Sequence, residues 1–154
     1  MSLKPREVNL YLDVTERMSQ MSYATRLKVG AVIVKDSNII SYGWNGTVPG
    51  RDNCCEYNDM SLNNGILHVV TRTKPDVIHA EENSLLKLAR QGISGAGASM
   101  FCTHSPCIVC ARMMVTVGIR ELYYRDVYRD DGGLDFLKET LGFNVHHVPI
   151  ESNV

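Results

Sequence analysis

The sequence predicts an α/β protein, a three-layer α-β-α sandwich around a mixed five-stranded sheet, and three observations carry that reading. Short apolar runs rich in β-branched residues alternate with longer segments whose apolar residues recur at helical spacing, as strands and their covering helices do. The first two runs are separated only by a turn and read as a hairpin, while the later ones have helices between them. With 154 residues and 44% hydrophobic content, the chain can bury one sizeable core and is too short for two ordinary domains. One domain is expected over residues 1–154, with an inserted excursion at about 45–78.

From Arg6 to about Tyr23, residues Val8, Leu10, Tyr11, Val14, Met18 and Met21 recur at helical spacing and make an amphipathic first helix. Val29 to Val34 is apolar and β-branched, which suits a strand covered on both faces. Lys35 to Asn38 supplies turn residues, and Ile39 to Trp44 runs back as the hairpin partner. In Asn45 to Asn53, Gly and Pro interrupt any periodicity, so this is a loop with polar side chains to offer. Cys54 to Asp76 is the least legible stretch: an Asn63-Asn64-Gly65 turn and a weakly apolar run from Ile66 to Val70, read as a partly helical excursion. An insertion of that kind is usually a functional loop or an interface. Beyond it, Leu85, Leu86 and Ala89 mark the buried face of a helix from Ala80 to Arg90 that Gly92 ends, with Glu81 and Glu82 favouring its N-terminus. Ser99 to Thr103 reads as a strand, and the following helix runs to about Val117 with Gly118 as its stop. Ile119 to Tyr124 is a further strand, Leu134 to Leu141 a short helix, and Phe143 to Val148 the last strand.

Two pieces hold the chemistry: His79-Ala80-Glu81 opening one helix and Pro106-Cys107-Ile108-Val109-Cys110 opening another. Cys107 and Cys110, three apart, lie on one helical face and can aim two sulfurs at one point. His79 supplies a third ligand. Three N/S ligands that leave a coordination position open describe a catalytic zinc, because hydrolysis needs a place for water on the metal. Glu81 sits two residues from His79, so it can act on that water as a proton shuttle without binding the metal. Taken alone, Cys-x-x-Cys also fits a redox pair, half of a zinc ribbon or two core thiols. The ordered pair favours the catalytic metal, with a buried His beside two packed cysteines as the bland alternative; His-x-Glu followed by Pro-Cys-x-x-Cys is the signature of zinc nucleobase deaminases.

Composition bounds the partners. A formal net charge of -1 with no basic block offers no source for the counterion release that drives nucleic-acid binding, so a small-molecule substrate is expected and no nucleic acid. No run of eighteen apolar residues appears and Met1 to Tyr11 is polar and charged, so no membrane partner and a cytoplasmic location are expected. Five cysteines, an odd count, argue for reduced thiols or metal ligation over a disulfide framework.

Over nearly all its length the chain resembles the deoxycytidylate (dCMP) deaminases of the cytidine deaminase superfamily. The resemblance rests on Lys28-Val29-Gly30-Ala31-Val32-Ile33, Gly43-Trp44-Asn45-Gly46, Asn53-Cys54-Cys55, His79-Ala80-Glu81, Asn83 and Ser105-Pro106-Cys107. It implies a cytidine deaminase-like fold, Zn2+ held by His79, Cys107 and Cys110 and carrying the attacking water, Glu81 moving protons, and Tyr128 contacting the nucleotide. The implied reaction turns dCMP into dUMP and ammonia: attack at C4 of the ring, protonation of N3 by Glu81, then loss of the amine. A monophosphate needs a cation, and Arg26 and Lys28 are available, although both also fit a solvated charge pair at a strand entry. Asn45 can hydrogen-bond a sugar hydroxyl or merely shape a turn. Thr103 and Ser105 offer polar groups beside the cysteines, and His104 reads as pocket wall.

The resemblance further implies a homohexamer activated by dCTP and inhibited by dTTP, with Mg2+ accompanying the triphosphate. The candidate effector loop runs from Asn45 to Glu56, with Asn45, Gly46, Gly50, Arg51, Asn53 and Glu56 as its contacts, and Arg90 matches a position linked to subunit-borne control. Each of these residues has a plain alternative as capped surface loop or exposed helix charge. Cys54, Cys55 and His68 invite a second, structural zinc, but the end of the first helix, Tyr23-Ala24-Thr25, lacks a cysteine, so the adjacent pair reads as loop or core thiols and Cys102 as packing. The rival readings are a tRNA adenosine deaminase or another nucleobase deaminase and, outside enzymes, a zinc-stabilised binding module. Glu81 and the missing fourth ligand argue against the module.

Overall fold

A computed structural model of the chain describes residues 3–150. The elements are α1 (Pro5–Ser19), β1 (Gly30–Lys35), β2 (Asn38–Trp44), β3 (Glu56–Asn63), β4 (Ile66–Thr73), α2 (Ala80–Gln91), β5 (Ser99–His104), α3 (Ile108–Val117), β6 (Glu121–Asp126), α4 (Gly132–Glu139) and β7 (Asn144–His147). Five strands form one sheet in the order β2-β1-β5-β6-β7. β1 is antiparallel to β2 and to β5, while β5, β6 and β7 run parallel, so the expected mixed sheet is borne out.

Strand periodicity sorts the core into two layers. Ala31, Ile33, Met100, Cys102, Leu122 and Tyr124 point to the face covered by α2, α3 and α4. Val32, Phe101 and Tyr123 point the other way, against Val8, Tyr11 and Leu12 of α1. Because both faces of β1 are covered, its first five residues are all buried, and this is why the run is continuously apolar. On the α1 side, Phe101 stacks on Tyr123 with ring centroids 4.8 Å apart and Tyr11 tilts against it at 5.2 Å. Arg125 is the buried cation of that layer, and Asp13 of α1 pairs with it at 3.0 Å.

Three expectations need correction. The stretch from Cys54 to Asp76 contains no helix: β3 and β4 form a separate two-stranded hairpin, turned at Asn64 and Gly65, whose φ values of 51° and 76° suit the left-handed turn residues. Every residue of β4 is exposed, so no buried stripe advertises its period. The first helix ends at Ser19 instead of Tyr23, with Leu10 and Met21 exposed rather than packed. On α2 the buried stripe is Ala80, Glu81, Ser84, Leu85 and Leu88, and Leu86 and Ala89 face outward.

Close backbone approach explains that stripe. A Cβ on Gly43 of β2 would stand 2.6 Å from the Ala80 carbonyl oxygen and 2.7 Å from the Ser84 nitrogen, so α2 lies directly on the strand. Only small residues fit there, and Ser84 uses its carbonyl to accept from the Ser41 hydroxyl at 2.7 Å. The start of α2 is thereby fixed against the sheet. Among the described residues, no helix is long and apolar enough to cross a membrane.

Candidate active site

Two helix N-termini meet at one point. His79 is the N-cap residue of α2 and Cys107 that of α3, and both helices pack on the same sheet face. The His79 Nδ1 lies 3.5 Å from the Sγ of Cys107 and 3.5 Å from the Sγ of Cys110. All three ligand atoms fall within 4.8 Å of one another, and among the described residues this is the one His/Cys/Asp/Glu group so arranged. Cys54, Cys55 and His68 do not converge on such a group.

Bond lengths test whether zinc fits. Zn–N and Zn–S bonds of about 2.05 and 2.3 Å at a tetrahedral angle put nitrogen and sulfur about 3.5 Å apart, which is the separation found here twice. The donor set also suits zinc, with two soft thiolates and one imidazole. With protons in place of metal, the Cys110 thiol donates to Cys107 and, with the nearby imidazole, holds the Cys107 thiol down to about 4. The hydrogen bond between His79 and Cys107 pushes His79 up to about 9, and the hydrogen bond to Cys107 together with burial pushes the Cys110 thiol up. A thiolate–imidazolium pair therefore stands where a divalent cation would replace the protons.

Glu81, in the first turn of α2, is 4% exposed, and burial pushes its carboxyl up to about 7. It opens with His79 and Cys107 onto a cleft of about 700 Å³. Three cations line this cleft, Arg26, Arg72 and Arg129, and Glu81 is its one carboxylate. An acid at the floor and guanidinium groups in the walls suit a ligand with a neutral ring and an anionic tail.

Of the expected substrate contacts, Arg26, Asn45, Ser105 and Tyr128 line the cleft, whereas Lys28 and Thr103 do not. The Asn45 amide joins two strands of chain: its Oδ1 accepts from the Val29 N–H at 2.9 Å and its Nδ2 donates to the Leu27 carbonyl at 2.8 Å. Ser105 accepts from the Tyr128 N–H at 2.7 Å and so seats that residue in the wall. Thr103 is buried, its Oγ1 accepting from the Gly30 N–H at 3.2 Å and pairing with His104 Nδ1 at 2.9 Å. His104 lines the cleft as wall, and burial pulls its imidazole down from the ordinary value.

The expected effector residues separate. Gly46 bridges to Ile78, one residue before His79, by hydrogen bonds of 3.1 and 2.9 Å. Arg51 pairs with Asp76 at 3.0 Å, and Glu56 Oε1 accepts from the Thr25 and Arg26 N–H groups at 2.9 and 3.2 Å. Gly50 is open to solvent and Asn53 is exposed. Arg90 lines a different, shallow cavity of about 180 Å³ beside β2. Arg72 and Arg129 escaped the sequence reading altogether. Arg72 sits in the excursion that has no buried period, and Arg129 follows Tyr128 in a segment with no motif of its own.

A model of the cytidine and deoxycytidylate deaminase zinc-binding region matches residues 6–126. The chain belongs to that deaminase family. Within it, the deoxycytidylate deaminase of Enterobacteria phage T4 is 33% identical over an alignment covering 90% of this chain and 88% of that protein. ComE operon protein 2 of Bacillus subtilis is 32% identical over 86% of this chain and 66% of its own length. A crystal structure of dCMP deaminase from the cyanophage S-TIM5, in complex with dCMP and dUMP, superposes with a TM-score of 0.82 at 40% identity, covering 96% of this chain and 100% of that one. Family membership bears out the expected cytidine deaminase-like fold, the hydrolytic deaminase class and a zinc requirement.

Proposed function

We propose that the chain deaminates dCMP to dUMP and ammonia, as a single cytoplasmic domain, with His79, Cys107 and Cys110 holding Zn2+ and Glu81 moving protons. The observation that carries the reading is Glu81, buried beside the three ligands and opening onto a cleft whose walls hold cations. The likeness to a solved enzyme bound to dCMP and dUMP supports the choice of base and phosphate state.

Zinc bound there supplies Lewis-acid activation of solvent at neutral pH. The chain's own residues do the rest. Glu81 accepts a proton from the nucleophile and returns it to N3 of the ring, then delivers another to the departing amino group. One water enters, the C4–N bond breaks, and a C4 carbonyl and ammonia result. Arg26 carries the phosphate, Tyr128 offers a phenol or a stacking face, and the second N–H of the Asn45 amide is free to donate to a sugar hydroxyl. Thr103 acts behind these residues by fixing His104 and the start of β1, and Lys28, exposed before β1, would meet the phosphate from outside the cleft lining.

Regulation belongs to the same proposal: a homohexamer, dCTP as activator, dTTP as inhibitor, and Mg2+ with the triphosphate. The Gly46–Ile78 bridge supports it, because a shift of the Asn45-to-Glu56 loop, with Gly50, Arg51 and Asn53, would reach the residue next to His79 through these hydrogen bonds. Arg90 would answer to a neighbouring subunit. Ammonia release from dCMP, cytidine, guanine and adenosine-containing RNA tests the activity; turnover of any of the others in preference to dCMP overturns it. Initial rates that ignore dTTP and dCTP, with and without magnesium, remove the regulation and leave the chemistry standing.

A further inference from the structure

The β3–β4 hairpin lies outside the five-stranded sheet, yet its second strand lends Val70, Thr71, Arg72 and Thr73 to the wall of the cleft. Its base is tied to the segment before β1: Glu56 accepts from the Thr25 and Arg26 N–H groups, and Arg26 Nη1 donates to Thr73 Oγ1 at 3.3 Å. One anchor thus holds two of the three cations of the cleft, Arg26 in the preceding segment and Arg72 on the strand. In an antiparallel ladder directly paired residues share a face, and here Tyr57 pairs with Arg72 and Asp59 with Val70. Asp59 Oδ2 accepts from Arg72 Nε at 2.7 Å. That contact uses one edge of the guanidinium and leaves the two terminal nitrogens with N–H groups to donate.

We infer that Arg72, oriented by Asp59, is a specificity residue for the anionic end of the substrate, and that the inserted hairpin is the element that selects a nucleotide over a nucleoside. The inference rests on the dCMP reading of the cleft and adds to it a residue from outside the sheet. The Asp59 contact pre-orients a long side chain, so less freedom is lost when it meets a phosphate. The three cations surround a cleft with one carboxylate, itself buried, so nothing else in the lining competes for the guanidinium. Both Arg72 and Asp59 are about half exposed, 55% and 48% in their side chains, so their removal does not open the core.

The test compares zinc-loaded wild-type protein with Arg72→Ala and Asp59→Asn. For Arg72→Ala, KM for dCMP should rise about tenfold with kcat within about twofold, the effect of losing one partly exposed charge-assisted contact. Inhibition by deoxyribose 5-phosphate should weaken by a similar factor, while competition by deoxycytidine, which has no phosphate, should stay unchanged. Asp59→Asn should weaken dCMP binding less, and Arg72→Lys should recover part of it. An unchanged KM, or equal weakening of deoxycytidine and deoxyribose 5-phosphate, overturns the inference. Failure of the wild-type protein to release ammonia from dCMP would instead defeat the functional reading, and calorimetric binding of deoxyribose 5-phosphate still decides the role of Arg72.

Discussion

The buried carboxyl of Glu81 makes a measurable prediction about stability in the metal-free protein. Its value is about 7 when folded and 4.5 for an ordinary glutamate, and at 4% exposure solvent does little to screen it. Below the lower value both states hold the proton and pH has no effect. Between the two, the unfolded chain releases a proton that the folded chain keeps, so stability falls as pH rises, and above about 7 the loss is complete. At 1.36 kcal/mol per pH unit the full penalty is about 3 kcal/mol, of which about 2.5 kcal/mol develops between pH 5 and pH 8. Glu81→Gln removes the titration and keeps the shape. Metal-stripped wild type and Glu81→Gln should therefore differ in Tm by roughly 5–10 °C more at pH 8 than at pH 5, with the variant favoured at the higher pH. Thermal unfolding followed by circular dichroism measures this directly. His79 and Cys107 are present in both proteins, so the difference reports the carboxyl together with its charge coupling to these two neighbours. Parallel pH profiles for the two proteins would refute the reasoning, as would a difference that survives zinc, whose charge should draw the carboxyl back down.

Three more outcomes follow from the same geometry. Glu81→Gln should keep one zinc per chain by atomic absorption while kcat drops by about 10²–10⁴-fold, and near-normal turnover would remove its proton role. Zinc should be released to a chromogenic chelator as pH falls from about 8 to about 5, because His79 and Cys110 take up protons as the metal leaves while Cys107 stays a thiolate above about 4; retention flat with pH would count against this ligand set. Gly133→Ala should destabilise the fold by about 2 kcal/mol and weaken zinc binding, since the new Cβ would stand 2.0 Å from the Pro106 carbonyl oxygen and 2.8 Å from the Cys107 carbonyl carbon. A chelator competition assay that finds unchanged affinity would exclude that route.

The parts of the fold legible in the sequence are those where burial imposes a period. Gly30 to Val34 is covered on both faces and reads as continuous hydrophobicity, and α2 and α3 end at Gly92 and Gly118 as expected. The convergence of His79, Cys107 and Cys110, with Glu81 opening onto the same cleft, was legible because their spacing is fixed by helix geometry at each N-terminus. The hairpin was not. β3 reads Glu-Tyr-Asn-Asp-Met-Ser-Leu-Asn, and with no face turned to the core the apolar residues Met60, Leu62, Leu67 and Val69 gather at the tip instead of lining the base. Thr103, on β5, lay beyond reach for a different reason. A strand's alternation says which residues share a face, but which face meets a cleft depends on the helices that cover it. Leu86 and Ala89 misled because a helix resting on Gly43 buries small residues, Ala80 and Ser84, where apolar size would ordinarily mark the inner face.

The two N-termini also explain how one small region can hold a cation and a buried acid together. Helix dipoles turn their positive ends toward His79 and Cys107, which favours thiolate over thiol at both cysteines once a metal competes for the protons. Two thiolates and a divalent ion sum to zero charge, so a metal centre there would place no net charge beside the core. Glu81 stands in the first turn of α2, where the positive helix end favours its ionised form, yet burial prevails and holds it up to about 7. In the metal-free protein burial outweighs both the backbone hydrogen bond and the His79 charge that pull the carboxyl down. For the proton role proposed for Glu81, a bound zinc would add the opposing pull toward the ionised form, and an acid two residues past His79 at the buried start of a helix is placed to feel both.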